Sequence, residues 1–127
     1  MMDCSNFELV GDFMESMEQD VLIRPSFPED SVQKLRLDLI EEELEELQYA
    51  IDNQNMVDTA DALTDLLYVV YGAGHAFGID LDDCFKEVHQ SNLSKLGPDF
   101  RPIKREDGKV LKPDTYFPPD LKTVLNI

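Results

Sequence analysis

Apolar residues recur at steps of three and four along two stretches, Leu35 to Ile51 and Val57 to Phe77, and this spacing predicts two central helices. In the first, LRLDLIEEELEELQYAI, a rotation of about 100° per residue sets Leu37, Ile40, Leu44, Leu47 and Ile51 in one apolar row. A second row runs Val32, Leu35, Leu39, Glu43, Glu46, Ala50, so Glu43 and Glu46 continue a line of hydrocarbon. Lys34, Asp38, Glu41, Glu45, Gln48 and Asp52 make the opposite, solvated face, and Glu42 falls near the boundary. The second stretch, VDTADALTDLLYVVYGAGHAF, is apolar nearly all round, which predicts a helix lying inside the fold. On it Asp58, Asp61 and Asp65 fall within about 60° of one another, continued by Tyr68 and Gly72.

The flanking segments are predicted from their breakers and caps. Ser5 precedes FELVGDFMESMEQ, a capped amphipathic helix with Phe7, Val10, Met14 and Met17 on its apolar side. Pro25 and Pro28 make VLIRPSFPED an extended connection, after which Asp30 or Ser31 can cap the long helix. The polar turn Asp52-Asn53-Gln54-Asn55 is short enough to make the two central helices an antiparallel pair, with their acidic rows facing. Gly78-Ile79-Asp80 reads as a glycine stop and a fresh cap. LDDCFKEVHQSNLSKL is then a fourth helix, with Leu81, Phe85, Val88 and Leu93 as its apolar side. From Gly97 onward Pro98, Pro102, Pro113, Pro118 and Pro119 impose irregularity, and Glu106-Asp107-Gly108-Lys109 is a turn joining two short extended pieces. One domain over residues 1–127 follows, with a helical core over about 5–96 and an extension over 97–127.

Charge sharpens the picture. With 27 acidic and 11 basic residues the formal charge is −16, which argues against a nucleic-acid or anionic-membrane binder. The basic residues concentrate in the last third, so an anionic substrate needs either a metal or that tail. Cys4 and Cys84 do not form a disulfide framework and imply thiols in a reducing compartment. The uncharged run Leu66 to Ile79 is too short and glycine-rich for a membrane span, and the acidic amino terminus does not read as a targeting signal, so a cytoplasmic protein is expected.

The acids on apolar rows are the candidate chemistry. Burying an ionised carboxylate without a partner costs several kcal/mol, roughly. No Lys or Arg lies between Leu37 and Lys86 to supply one. A bound cation is the simplest partner. Glu41, Glu42 and Glu45 taken alone fit a solvated face, and Asp58 fits a first-turn acid as well as it fits a site, but Asp61 and Asp65 have no such alternative. Oxygen ligands without organised His or Cys favour Mg²⁺ or Mn²⁺ over zinc. His75 and His89 lack a paired ligand spacing and read as hydrogen-bonded helix residues.

Glu42-Glu43-x-x-Glu46 followed by Asp61-x-x-x-Asp65-Leu-Leu-Tyr resembles the metal signature of the all-α nucleotide pyrophosphatase superfamily, which includes MazG, dimeric dUTPases and phosphoribosyl-ATP pyrophosphohydrolases. DALTDLLYVVYGAGHAFGIDLDDCF, EVHQSNLSK and DGKVLKP are similar to its small MazG-like branch, so the resemblance spans roughly residues 31–119. It implies an all-α, four-helix-bundle-like MazG-type fold with an irregular Pro-rich tail, assembled as a homodimer or homotetramer. It also implies Mg²⁺-dependent cleavage of a nucleoside triphosphate, dUTP or another deoxynucleotide favoured, to monophosphate and pyrophosphate. By position, Glu43, Glu46 and Asp65 match metal ligands, and Glu42 matches the acid that orients or deprotonates the attacking water. Asn92 and Lys95 match the residues facing substrate phosphate, with Lys95 offsetting charge during transfer, and Lys109 and Lys112 join them as candidate substrate contacts. Ala62 stands where the second motif usually has its first acid, three residues before Asp65. Asp61 takes that role on the same helix face, or Asp58 and Asp61 supply a D-x-x-D pair instead. Two other classes stay open: a di-iron or di-manganese carboxylate bundle, although Tyr49 stands where Glu-x-x-His would put His, and a non-enzymatic acidic protein for a basic partner.

Overall fold

The computed structural model describes residues 4–127. Its elements run α1 (Asn6–Ser16), α2 (Asp30–Asp52), α3 (Met56–Ala76), α4 (Leu81–Leu93), a 3₁₀ turn (Pro98–Phe100), β1 (Ile103–Lys104), β2 (Val110–Leu111) and α5 (Leu121–Leu125). Chain contacts divide them into two compact units, one reaching to Leu81 and the other Asp82–Ile127. The architecture is mostly helical, as the periodicity predicts, and no described helix is long and apolar enough to cross a membrane.

In the first unit α2 and α3 form an antiparallel hairpin and α1 packs on α3. α1 starts at a capping box, with the Ser5 hydroxyl accepting from Glu8 N and the Glu8 carboxylate from Ser5 N, each at 3.1 Å. Phe7, Val10 and Met14 are buried, as expected from their spacing, together with Gly11, whereas Met17, expected on the same side, is the C-cap residue and stays exposed because the helix ends at Ser16. His75 is a hydrogen-bonded helix residue, as its isolation in the sequence suggests. Its ring stacks on Phe7 at 3.8 Å and its Nε2 donates to the Phe7 carbonyl oxygen at 2.7 Å. The Pro-containing segment runs extended across the end of α3, with Leu22 N donating to His75 O at 3.0 Å and Ser26 N to Phe77 O at 2.9 Å.

The start of α2 differs from expectation. Glu29, not Asp30 or Ser31, is the N-cap residue, and no side chain caps the helix. The Glu29 carbonyl oxygen already accepts from Val32 N and Gln33 N, so helical geometry begins one residue early and Asp30 becomes a first-turn acid, favoured there by the helix dipole. At the hairpin turn Asn55 caps α3, accepting from Asp58 N at 3.0 Å. Asp58 is thus a first-turn acid.

Burial departs further. α3 does not lie inside: it is buried at Ala62 and over Gly72 and Gly74–Ala76, while Leu63 remains 49% exposed. The α2 row Leu37, Leu44, Ile51 is likewise exposed, Leu44 at 54%. The reason is geometric. A hairpin plus one short helix covers only one side of α3, and the remaining apolar faces have no neighbour among the described residues of this unit.

In the second unit α4 also turns differently. Phe85, expected on the apolar side, is 74% exposed, and the buried residues are Cys84 and Ser91. Beyond it the expected turn closes β1 against β2, antiparallel with Ile103 opposite Leu111, through Arg105 N to Lys109 O at 2.8 Å and Gly108 at positive φ. The short α5 had no counterpart in the sequence reading.

Gly78 sits at φ +68°, and a Cβ there would lie 2.0 Å from the Arg24 carbonyl oxygen. Gly78→Ala is expected to destabilise the protein by about 2 kcal/mol or more, combining left-handed strain with displacement of that segment, as measured by urea unfolding.

Candidate metal centre

The centre is built on the α2–α3 seam. Arg36, Glu43 and Ala50 recur every seven residues, two helical turns, and so share one stripe of α2. Arg36 lies against Gly72, where an added Cβ would come within 2.7 Å of its Nη1. One heptad along, Glu43 meets Asp65, and the step of three from Glu43 brings Glu46 beside them. Carboxylate oxygens of Glu43, Glu46 and Asp65 all lie within 4.8 Å of one another. Glu43 and Asp65 are half-buried and Glu46 is exposed, so the cluster is open on one side and not sealed in an interior, as the sequence had suggested.

Its electrostatics are unfavourable as it stands. Glu43 Oε2 is buried and has no hydrogen-bond partner among the described residues. Desolvation pushes the Glu43 carboxyl above its ordinary range, reinforced by the charges of Glu46 and Asp65, a hydrogen bond with Glu46 and the charge of Glu42. Asp65 is pushed up by desolvation, then by the charges of Asp61 and Glu46. A divalent cation accepted by these oxygens would remove both penalties, and a donor set of oxygens alone suits a hard ion. The residues therefore fit a bound Mg²⁺ or Mn²⁺.

Asp61 does not join this triad. It is exposed and lines a cavity of about 420 Å³ with Glu42, Glu45, Glu46, Tyr49 and Asp58. Neither motif option for the second acid, Asp61 or Asp58, thus brings an oxygen into the three-carboxylate cluster; the four-residue step from Asp65 puts Asp61 a full turn along α3. Glu46 belongs to both cluster and cavity. Two cavity residues, Glu45 and Tyr49, escaped the sequence reading because a wheel places Glu45 toward solvent, and a cavity wall is a solvated face.

Arg36 was missed as well. It is 8% exposed, its Nε is buried without a partner among the described residues, and its Nη2 reaches only Gln19 Oε1 at 3.4 Å. Burial pushes its guanidinium down from the usual value. Its seven-residue offset from Glu43 was the available signal.

The expected phosphate contacts belong to the second unit. Lys95 Nζ donates to Asn92 Oδ1 at 3.1 Å. Lys109 lies at the hairpin turn, its N–H donating to Asp107 Oδ1 at 3.0 Å, and Lys112 Nζ stands 4.5 Å from the Tyr116 ring centroid.

Comparison with known proteins gives this cluster its context. The phosphoribosyl-ATP pyrophosphohydrolase family pattern matches residues 10–92, which include all three clustered acids and Asn92. The chain belongs to this family. As a phosphoribosyl-ATP pyrophosphohydrolase family member it carries the superfamily's all-α fold, and its tail beyond Asn92 lies outside the matched region. It is also similar to an uncharacterized protein of Acanthamoeba polyphaga mimivirus, 43% identical over 82 residues, an alignment covering 61% of this chain and 33% of the viral protein. The chain thus spans about a third of the length of that relative.

The raised carboxyls fix a sign. In the metal-free protein Glu43 and Asp65 bind protons more tightly when folded, so stability is expected to rise as pH falls through their raised values toward the unfolded ones near 4.5 and 3.8. Glu43→Gln or Asp65→Asn should stabilise the metal-free protein by about 1 kcal/mol or less and abolish the rise in Tm with Mg²⁺ or Mn²⁺, read by thermal unfolding with and without chelator.

Proposed function

We propose that this protein is a divalent-metal-dependent nucleotide pyrophosphohydrolase that hydrolyses a nucleoside triphosphate to the monophosphate and pyrophosphate. The convergence of Glu43, Glu46 and Asp65, with one Glu43 oxygen desolvated and unpartnered, carries the reading. Membership of a pyrophosphohydrolase family supports the reaction class. Mg²⁺, with Mn²⁺ as a substitute, would be held by these three carboxylates and would supply charge neutralisation at the phosphates.

The chain's own residues then divide the work. Glu42, on the wall of the acidic cavity, orients the attacking water and accepts its proton. The water oxygen bonds to the α-phosphorus as the α–β bridging bond breaks, and pyrophosphate leaves with the bridging oxygen. Asn92, Lys95, Lys109 and Lys112 bind the phosphates, and Lys95 offsets charge on the leaving group. Asp61, outside the triad, acts by raising the negative potential of the cavity and thereby the local concentration of cation. From the resemblance to the MazG-like branch, dUTP or another deoxynucleoside triphosphate is the favoured substrate, and the role is removal of unwanted nucleotides in the cytoplasm. A di-iron site is disfavoured because no histidine joins the acid cluster among the described residues.

Product analysis decides the reading. Incubation with Mg²⁺ and a panel of ribo- and deoxynucleoside triphosphates, with phosphoribosyl-ATP included, is expected to yield pyrophosphate and a monophosphate. Glu46→Gln should lower turnover by roughly a hundredfold or more, as loss of a metal ligand does. Absence of pyrophosphate from every substrate would refute the proposal.

The exposed rows Leu37, Leu44, Ile51 on α2 and Met56, Leu63, Val70 on α3 support a homo-oligomer, because seven-residue apolar rows on adjacent helices suit a second hairpin. A homodimer or homotetramer is expected by light scattering. Leu44→Glu should weaken assembly by at least roughly tenfold, about 1.4 kcal/mol.

A further inference from the structure

The second unit holds a polar stripe that the proposed chemistry does not use. Glu87, Ser91 and Ser94 follow one another by four and three residues, so they share one face of α4 and of the turn that ends it. Each bonds the backbone of the tail. Ser91 Oγ donates to Phe117 O at 2.8 Å, Ser94 Oγ accepts from Phe117 N at 3.1 Å, and Glu87 Oε1 accepts from Asp120 N at 3.1 Å. Between Phe117 and Asp120 stand Pro118 and Pro119, which have no N–H. The stripe thus takes both backbone N–H groups of this segment and the Phe117 carbonyl. Ser91 is only 2% exposed, so its hydroxyl depends on that carbonyl. Asp120 then caps α5, accepting from Thr123 N at 3.1 Å.

This attachment closes residues 95–117 into a loop held at both ends. The loop has six basic and four acidic residues in a chain whose net charge is −16. Lys104, Lys109 and Lys112 form no ion pair among the described residues, and the β1–β2 hairpin brings Lys104 opposite Val110, beside Lys109. Without the clasp the β1–β2 hairpin would keep its own pairing but the loop would be held at its α4 end alone. With it, most of the ordering entropy that anion binding would otherwise cost is already spent in folding.

We infer that Glu87, Ser91 and Ser94 are a clasp that preorganises this basic loop for a polyphosphate, which makes Ser91 and Ser94 positioning residues for Lys104, Lys109 and Lys112. Assigning that polyphosphate to the substrate rests on the function proposed above; the clasp itself does not.

The test uses the full chain, freed of metal, with inorganic tripolyphosphate titrated calorimetrically at low ionic strength. Wild-type protein is expected to bind, and Ser91→Ala/Ser94→Ala to bind roughly tenfold more weakly, the cost of ordering the released loop. In a Lys104→Gln/Lys109→Gln/Lys112→Gln background the serine changes should cause no further loss, a non-additivity that a general loss of structure would not give. Glu87→Ala, at a half-exposed position, should give a smaller loss that Glu87→Gln restores by keeping an acceptor oxygen, and this arm serves even if the double serine variant does not fold. Where a nucleotide is turned over, the serine changes should raise KM and leave kcat within about twofold. Tripolyphosphate binding that is absent from wild type, or unchanged by both serine and Glu87 changes, would overturn the clasp. Its loss as expected in a protein that hydrolyses no nucleotide would instead leave the clasp standing and remove the proposed reaction.

Discussion

Like charge crowded onto a helix–helix seam is the constraint on which the first unit turns. Glu43, Glu46 and Asp65 hold oxygens within 4.8 Å of one another, and Glu43 Oε2 is cut off from water. Neither helix makes such a site alone. α2 contributes two acids three residues apart and α3 contributes one, and antiparallel pairing through a three-residue turn brings them together. The folded hairpin therefore holds electrostatic repulsion that a bound cation would relieve, which would couple metal binding to stability through the same atoms. Arg36, two turns along the stripe and also lacking a carboxylate partner among the described residues, shows the seam tolerating buried charge of the other sign.

The rest of the unit holds that hairpin still. α1 is locked to α3 by the Phe7–His75 stack and hydrogen bond, and the extended segment is stitched to the end of α3 through His75 and Phe77 carbonyls. These contacts order one side of α3. Its other side, with the adjacent row of α2, carries exposed hydrocarbon among the described residues.

Much of this was legible in one dimension. The cap at Ser5, the breaks at Pro25 and Gly78, the hairpin turn at Asp52–Asn55 and the acidic motif are local signals, and each appears at or within a residue or so of its expected place. The departures share a cause. Asp61 lies on one face of α3 with Asp65, yet a face is several turns long, and the acids of α2 meet it at the height of Asp65. Phe85 was placed inside because it is apolar, whereas α4 turns Ser91 inward to meet the Phe117 carbonyl.

What the sequence determined by itself is therefore the four main helices, their approximate ends, and the sharing of faces, since these depend on periods of 3.6 residues and on side chains within a turn of one another. Tertiary structure alone decided which face found cover, that Arg36 rather than a leucine would fill the space over Gly72, that three acids and not four would converge, and that Ser91 and Ser94 would hold the tail. Those outcomes depend on the axial register of one helix against another and on competition among distant segments for the same surface, neither of which a single helical period encodes.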